Sequence, residues 1–184
     1  MSKQSKTILK VSGAAFAVTA AASVAAYITT RYLTRVALDR EEPKAFKKAG
    51  NLISGSESSN AFLEALHKSA EKLAEKDNET VEIIGHDGIS LVGHWIPCEN
   101  PKRVIIAMHG WRSKWYKDFG MVADFWEKND CSVLYAEQRG QGNSGGDYIG
   151  FGPIERYDCM DWISWVTNRC GNEVPIYLCG VSMG

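Results

Sequence analysis

The apolar and polar positions divide the chain into stretches with different periods. Residues 11–30 carry no charge and read Val11-Ser-Gly-Ala-Ala-Phe-Ala-Val-Thr-Ala-Ala-Ala-Ser-Val-Ala-Ala-Tyr-Ile-Thr-Thr30. A helix needs about 20 apolar residues to cross a bilayer, so this run is long enough. Lys3, Lys6 and Lys10 precede it, Arg31 and Arg35 follow it, and Tyr27 and Tyr32 stand near its far end, where interfacial aromatics are favoured. The pattern predicts a transmembrane helix over 11–30 behind a short basic tail, residues 1–10. A cleaved signal peptide with the small residues Val24-Ala25-Ala26 is one alternative. A soluble Ala-rich helix is another. Lys and Arg are at least as frequent after the run as before it, so charge bias leaves the orientation open.

Residues 31–79 read as a polar spacer followed by an amphipathic helix. Apolar Phe62, Leu63, Leu66, Ala70 and Leu73 recur at helical spacing, with Ser59 or Asn60 as the N-cap. His67 falls on the polar side of that helix. From Thr80 the period changes to two. Val81–Ile84 and Ile89–Ile96 read as strands joined through the turn Gly85-His86-Asp87-Gly88, which makes a hairpin. Three continuous apolar runs follow, at 103–108, 132–136 and 175–179, each with the pattern of a strand buried on both faces. Helical spacing separates them at 118–128 and 154–167. Strand, helix, strand, helix, strand predicts an α/β fold, a hairpin and then a parallel sheet with helices on both faces.

Composition narrows the function classes. A net charge of −1 and no basic stripe argue against a nucleic-acid partner. All six Trp lie between Trp95 and Trp165, which places the core in the second half. The five Cys have no Cys-x-x-Cys spacing, so they predict buried free thiols and neither a zinc site nor a disulfide framework.

Chemistry concentrates at the ends of the buried strands. Gly180-Val181-Ser182-Met183-Gly184 follows the last of them. A nucleophile on a tight turn needs small neighbours two residues away on either side, and Gly180 and Gly184 supply them. His109-Gly110-Trp111 follows the first buried strand. A tetrahedral intermediate needs two N–H groups aimed at its oxyanion. The backbone N–H groups of Met183 and Trp111 are the expected pair, with Gly110 giving the loop freedom to turn. His109 is expected to be a packed structural residue. Arg139-Gly140-Gln141-Gly142-Asn143-Ser144-Gly145-Gly146 contains a literal Gly-x-Gly-x-x-Gly, but loop residues and not a helix follow it, which argues against dinucleotide binding. His86 and Asp87 are adjacent in a hairpin turn and cannot both reach one serine in triad geometry.

The order His109-Gly110, then Arg139-Gly-Gln-Gly142-Asn-Ser144-Gly, then Gly180-Val-Ser182-Met-Gly184 resembles the α/β-hydrolase superfamily. Within it the chain is similar to the serine aminopeptidase and monoacylglycerol-lipase-like branch, in its bacterial membrane-anchored form. The resemblance covers about residues 80–184. It implies a partial α/β-hydrolase domain there, the N-terminal half of the sheet, ending at the nucleophile turn. It implies Ser182 as nucleophile, Trp111 and Met183 as the oxyanion hole, and a structural role for the glycine-rich loop. Glu137 departs from the Asp that relatives often carry. In such enzymes acid and His follow the nucleophile, so both are expected beyond the chain end. The expected function is hydrolysis of an ester, thioester, amide or peptide bond of a small-molecule or peptide substrate, without metal or cofactor. The expected location is a single-pass membrane protein with its catalytic domain extracytoplasmic, and the fragment itself is expected to be inactive. The alternative is an anchored, non-catalytic binding protein on a hydrolase scaffold.

Overall fold

The structure, a computed structural model, describes residues 3–41 and 57–184. The chain divides into two compact units, Met1–Ala37 and Leu38–Gly184. The first is a single helix, α1 (Lys3–Leu38). Residues 3–10 are therefore helical and continuous with the charge-free run, where a separate tail was expected. Every described side chain from Phe16 to Arg35 is exposed. No helix of the described residues is long and apolar enough to cross a membrane. The side chains of residues 11–15 and 17 of the expected span lie outside the described residues, as do residues 42–56 of the expected spacer.

In the second unit the elements run α2 (Glu57–Ala74), β1 (Glu79–Ile84), β2 (Ser90–Ile96), β3 (Arg103–Met108), α3 (Trp115–Lys128), β4 (Cys131–Ala136), α4 (Glu155–Cys170) and β5 (Ile176–Gly180). The five strands form one sheet in the order β1-β2-β4-β3-β5. The hairpin pairs β1 with β2 antiparallel, and β2 pairs antiparallel with β4. Strand β3 lies between β4 and β5, parallel to both.

The continuous apolar runs have a direct cause. In β3, Ile105 and Ala107 join a core with Val133 and Tyr135 of β4, Leu73 of α2, and Trp115, Phe119 and Trp126 of α3. Val104, Ile106 and Met108 face the other way, into a core with Leu134, Ala136, Leu91, and Trp162 and Val166 of α4. Side chains alternate across a strand, so a strand covered on both faces must be apolar at every position. Burying one large apolar side chain stabilises by about 1.5–3 kcal/mol. Strand β5 is the outer strand among those described, and Tyr177 and Leu178 on it are exposed. All five cysteines are free thiols; Cys131 is buried and the other four are half-buried, less enclosed than expected.

The long connection between β4 and α4 is held by one buried cation. The Arg139 Nε donates to Asp158 Oδ2 at 2.6 Å, a second nitrogen donates to Asp158 Oδ1, and a third to Asp87 Oδ2 at 2.8 Å. Arg139 and Asp158 are both buried. One side chain thus ties the loop to α4 and to the hairpin turn. Removing one partner of a buried ion pair leaves the other charged and unpaired, at a cost of about 3–5 kcal/mol. Arg139→Met is expected to lose that much in urea denaturation. A variant within about 1 kcal/mol of the parent, at the level of an exposed pair, would show that the pair is not holding the loop.

Candidate active site

The parallel strands β3 and β5 end side by side, and their following loops meet. The Val181 N–H donates to the Met108 carbonyl at 3.1 Å, and the Gly184 N–H donates to the Val181 carbonyl at 3.0 Å. The turn closes so tightly that a Cβ on Gly180 would stand 2.0 Å from the Gly184 carbonyl oxygen, and one on Gly184 would stand 2.0 Å from the Met108 carbonyl oxygen. No side chain fits at either position. Ser182 stands at the crest, exposed, with φ of +57°. That left-handed conformation is rare for a residue with a Cβ and costs on the order of 1–3 kcal/mol.

The loop after β3 lies against this turn. A Cβ on Gly110 would come within 3.1 Å of the Val181 carbonyl oxygen and 3.3 Å of the Ser182 Cβ. Sequence reasoning expected Gly110 to give rotational freedom; close approach is the requirement seen here. Trp111 follows it directly, half-buried, with its ring centroid 6.5 Å from that of Phe151. Met183 lines a cavity of about 300 Å³ beside the turn, with Met108, Gln138, Glu155, Cys159 and Leu178 among its walls. The sequence-derived residues His109, Gly110, Trp111, Gly180, Ser182, Met183 and Gly184 therefore belong to two adjoining turns at the carboxyl ends of β3 and β5.

His109 is fully buried, and both ring nitrogens are engaged. Nδ1 meets the Gly110 carbonyl at 2.9 Å, and Nε2 accepts the Gln138 N–H at 3.2 Å. These partners assign the neutral tautomer with its proton on Nδ1. Burial pushes the imidazole pKa down, against the opposing pull of the Gly110 carbonyl, Asp118 and Glu137. The other histidines are also committed elsewhere or exposed. His94 sits between Asn78 and Glu137, at 3.1 and 2.8 Å, and stacks on Trp115. His86 lies 3.6 Å from Asp161, while Asp87 binds Arg139. His67 is exposed on α2.

Several residues that position the loops have no motif signal. Asp118, in the first turn of α3, accepts the Gly110 N–H at 2.7 Å and the Ser113 hydroxyl at 2.6 Å. It fixes the β3 loop from behind. The Gln138 side-chain amide donates to the His109 carbonyl, bridging the loops after β3 and β4. Glu155 accepts the N–H groups of Gly150 and Gly152 at 2.5 and 2.8 Å and so frames Phe151. Glu137 accepts from His94 and from the Asn143 backbone N–H. Burial opposes its ionisation, but those hydrogen bonds outweigh burial and hold the carboxyl below its ordinary range. The glycine-rich loop runs on to α4 with no helix starting at Gly146, so it lacks the helix N-terminus that a pyrophosphate requires. Among the described residues, His86, Asp158 and Asp161 form the one cluster with metal-ligand spacing. Asp158 is already bound to Arg139, and Asp161 Oδ2 accepts the His86 N–H at 2.9 Å.

No family model matches the chain, and no curated protein matches it. Solved structures do. The esterase Pf2001 of Pyrococcus furiosus is 29% identical, with a TM-score of 0.55 over 62% of this chain and 46% of the esterase. An α/β serine hydrolase without lid from Xanthomonas campestris is 20% identical, with a TM-score of 0.51 over 59% of this chain and 52% of that one. An α/β serine hydrolase homologue from Coxiella burnetii is 19% identical, with a TM-score of 0.51 over 59% of this chain and 53% of that one. The chain spans about half the length of these proteins. Over about three-fifths of its length the chain shares the fold of these α/β-hydrolases.

The buried neutral His109 gives a pH dependence with a definite sign. An unfolded histidine titrates near about 6.5, and the folded one titrates lower. As pH falls below about 6.5, the unfolded chain takes up the proton first, and the fold loses stability until the folded pKa is passed. The melting temperature is expected to fall between about pH 7 and 5.5, and to fall less in His109→Gln over the same window. Equal slopes in the two proteins would exclude His109 as the cause.

Proposed function

We propose that this chain carries the nucleophile and the anion cradle of a serine hydrolase acting on an ester, thioester, amide or peptide bond. The observation that carries the reading is Ser182, exposed at φ +57° on a turn that admits only glycine at 180 and 184. Strain of that kind at an exposed polar residue points to function, and a serine on a sharp turn directly after a strand of the sheet is the arrangement that acyl transfer uses. The esterase likeness supports it.

In the proposed reaction the Ser182 Oγ attacks the carbonyl carbon while a base takes its proton. The carbonyl oxygen becomes an oxyanion, held by the backbone N–H groups of Met183 and Trp111. The bond to the leaving group then breaks as that group receives the proton. Water next attacks the acyl-enzyme and frees Ser182. His109 cannot take the base role with both nitrogens engaged, and no histidine among the described residues is hydrogen-bonded to Ser182. We therefore assign the base and its acid partner to sequence following Gly184, and we place the protein in the aminopeptidase and monoacylglycerol-lipase-like branch on the order of its three motifs. A serine without a base is a weak nucleophile at neutral pH, so residues 1–184 alone are expected to be inactive.

An alkyl fluorophosphonate is expected to label the full-length protein at Ser182, and Ser182→Ala is expected to abolish labelling and lower ester turnover by roughly 10³-fold or more. Full-length protein that stays unlabelled would instead support the binding-protein reading. The anchor belongs to the same proposal. Helix α1 falls short of the apolar length of a membrane-crossing helix, but it leaves Phe16, Val18, Val24, Ile28 and Leu33 exposed, an apolar surface that a bilayer would cover. The full-length protein is expected to stay in the membrane pellet after alkaline carbonate extraction, with its C-terminal part open to protease added outside the cell. Release of the protein into the carbonate supernatant would contradict the anchor, and protection from protease would contradict the extracytoplasmic placement.

A further inference from the structure

A cavity of about 310 Å³ opens between the 112–117 segment and the 140–142 turn, apart from the one beside Ser182. Four of its lining side chains are cationic: Arg40, Arg112, Lys114 and Lys117. None of the lining side chains among the described residues is acidic. In a chain of net charge −1 that is a marked local excess. Arg40 spends its guanidinium on neutral carbonyls, donating to Ser144 at 2.6 Å, Gly142 at 2.7 Å and Gly146 at 3.2 Å. Among the described residues, Arg40, Lys114 and Lys117 form no ion pair with a carboxylate.

A second, independent feature lies in the same wall. Gln141 is 6% exposed. Its Oε1 accepts the Arg112 backbone N–H at 2.6 Å, which fixes the orientation of the amide. The opposite end, Nε2, is buried and has no hydrogen-bond partner. Buried donors are almost always paired, and an orphan in a native fold calls for a ligand or a water. The cavity also meets the start of α3. Lys114 is the N-cap of that helix and makes no side-chain capping bond. The first turn of a helix presents unpaired N–H groups and the positive end of its dipole, both favourable to an anion.

We propose that this cavity binds a small oxyanion, the carboxylate or phosphate group of a ligand. Gln141 Nε2 donates to it, and Lys114 and Lys117 supply the screening charge with Arg40 and Arg112 behind them. The inference does not rest on the role of Ser182, because binding can be measured without turnover.

Calorimetric titration of the chain with inorganic phosphate, and separately with acetate, at constant ionic strength tests it. Saturable binding of either anion at one site per chain is expected, and the tighter of the two identifies the ligand group. The exposed pair Lys114→Glu/Lys117→Glu is expected to weaken binding at least tenfold. Gln141→Glu keeps the acceptor for the Arg112 N–H but replaces the donor with a carboxylate oxygen, and is expected to abolish binding. Circular dichroism melts check that both variants fold. The proposal is overturned if neither anion saturates, or if folded variants bind as the parent does.

Discussion

The site depends on a backbone constraint: the turn after β5 and the end of β3 pack main chain against main chain. With β3 buried on both faces between β4 and β5, the positions of the strand ends are set by the two cores. The loops leaving those ends have no choice but to touch. The Gly184 Cα faces the Met108 carbonyl with no room for a methyl group, and Gly180 faces Gly184 in the same way. Glycine here is demanded by volume as much as by backbone freedom. Ser182 is carried to an exposed crest as a consequence of that closure.

Loops so close to a core leave polar main chain out of reach of water, and buried polar groups must be paired. The rim meets this with carboxylates and amides drawn from neighbouring elements. Asp118 serves Gly110, Glu155 serves Gly150 and Gly152, Glu137 serves Asn143, and Gln138 serves the His109 carbonyl. His109 closes the set by accepting from Gln138. Asp118 and Gln138 reach the β3 loop from a neighbouring helix and loop, Glu155 reaches back from the first turn of α4, and Glu137 braces its own loop, so the rim behaves as a connected network and not as separate turns. Such networks rigidify a site when every member is satisfied. Two side-chain amides among the described residues each keep one end unmet, Gln138 at Oε1 and Gln141 at Nε2.

The sheet was legible because its signal is redundant. A strand covered on both faces is apolar at every position, and all three such runs fall within a residue or two of the observed β3, β4 and β5. The hairpin was legible from its turn glycines. Its neighbour in the sheet was not, since nothing in β2 tells it to pair with β4 and not with β3. The start of α3 was placed three residues late because Trp115 and Tyr116 read as a continuation of the loop, whereas both pack against the core. The tight turn around Ser182 was legible because backbone space restricts positions 180 and 184 to glycine. Asp118 and Glu155 were not. Each reads as an ordinary acid in the first turn of a helix, and its actual partners lie in loops with no periodic pattern.

The strain at Ser182 and the closure of its turn have one origin. A left-handed serine is unfavourable in isolation, and no hydrogen bond of its own side chain offsets that among the described residues. What holds it is the pair of main-chain bonds on either side, Val181 to Met108 and Gly184 to Val181. Each contributes about 0.5–1.5 kcal/mol net, comparable to the strain. The balance leaves the hydroxyl exposed rather than consumed in stabilising its own turn. Asp118, by contrast, is consumed: both its oxygens hold the loop that faces Ser182. The division places permanent hydrogen bonds behind the two turns and leaves the Ser182 hydroxyl in front of them uncommitted among the described residues.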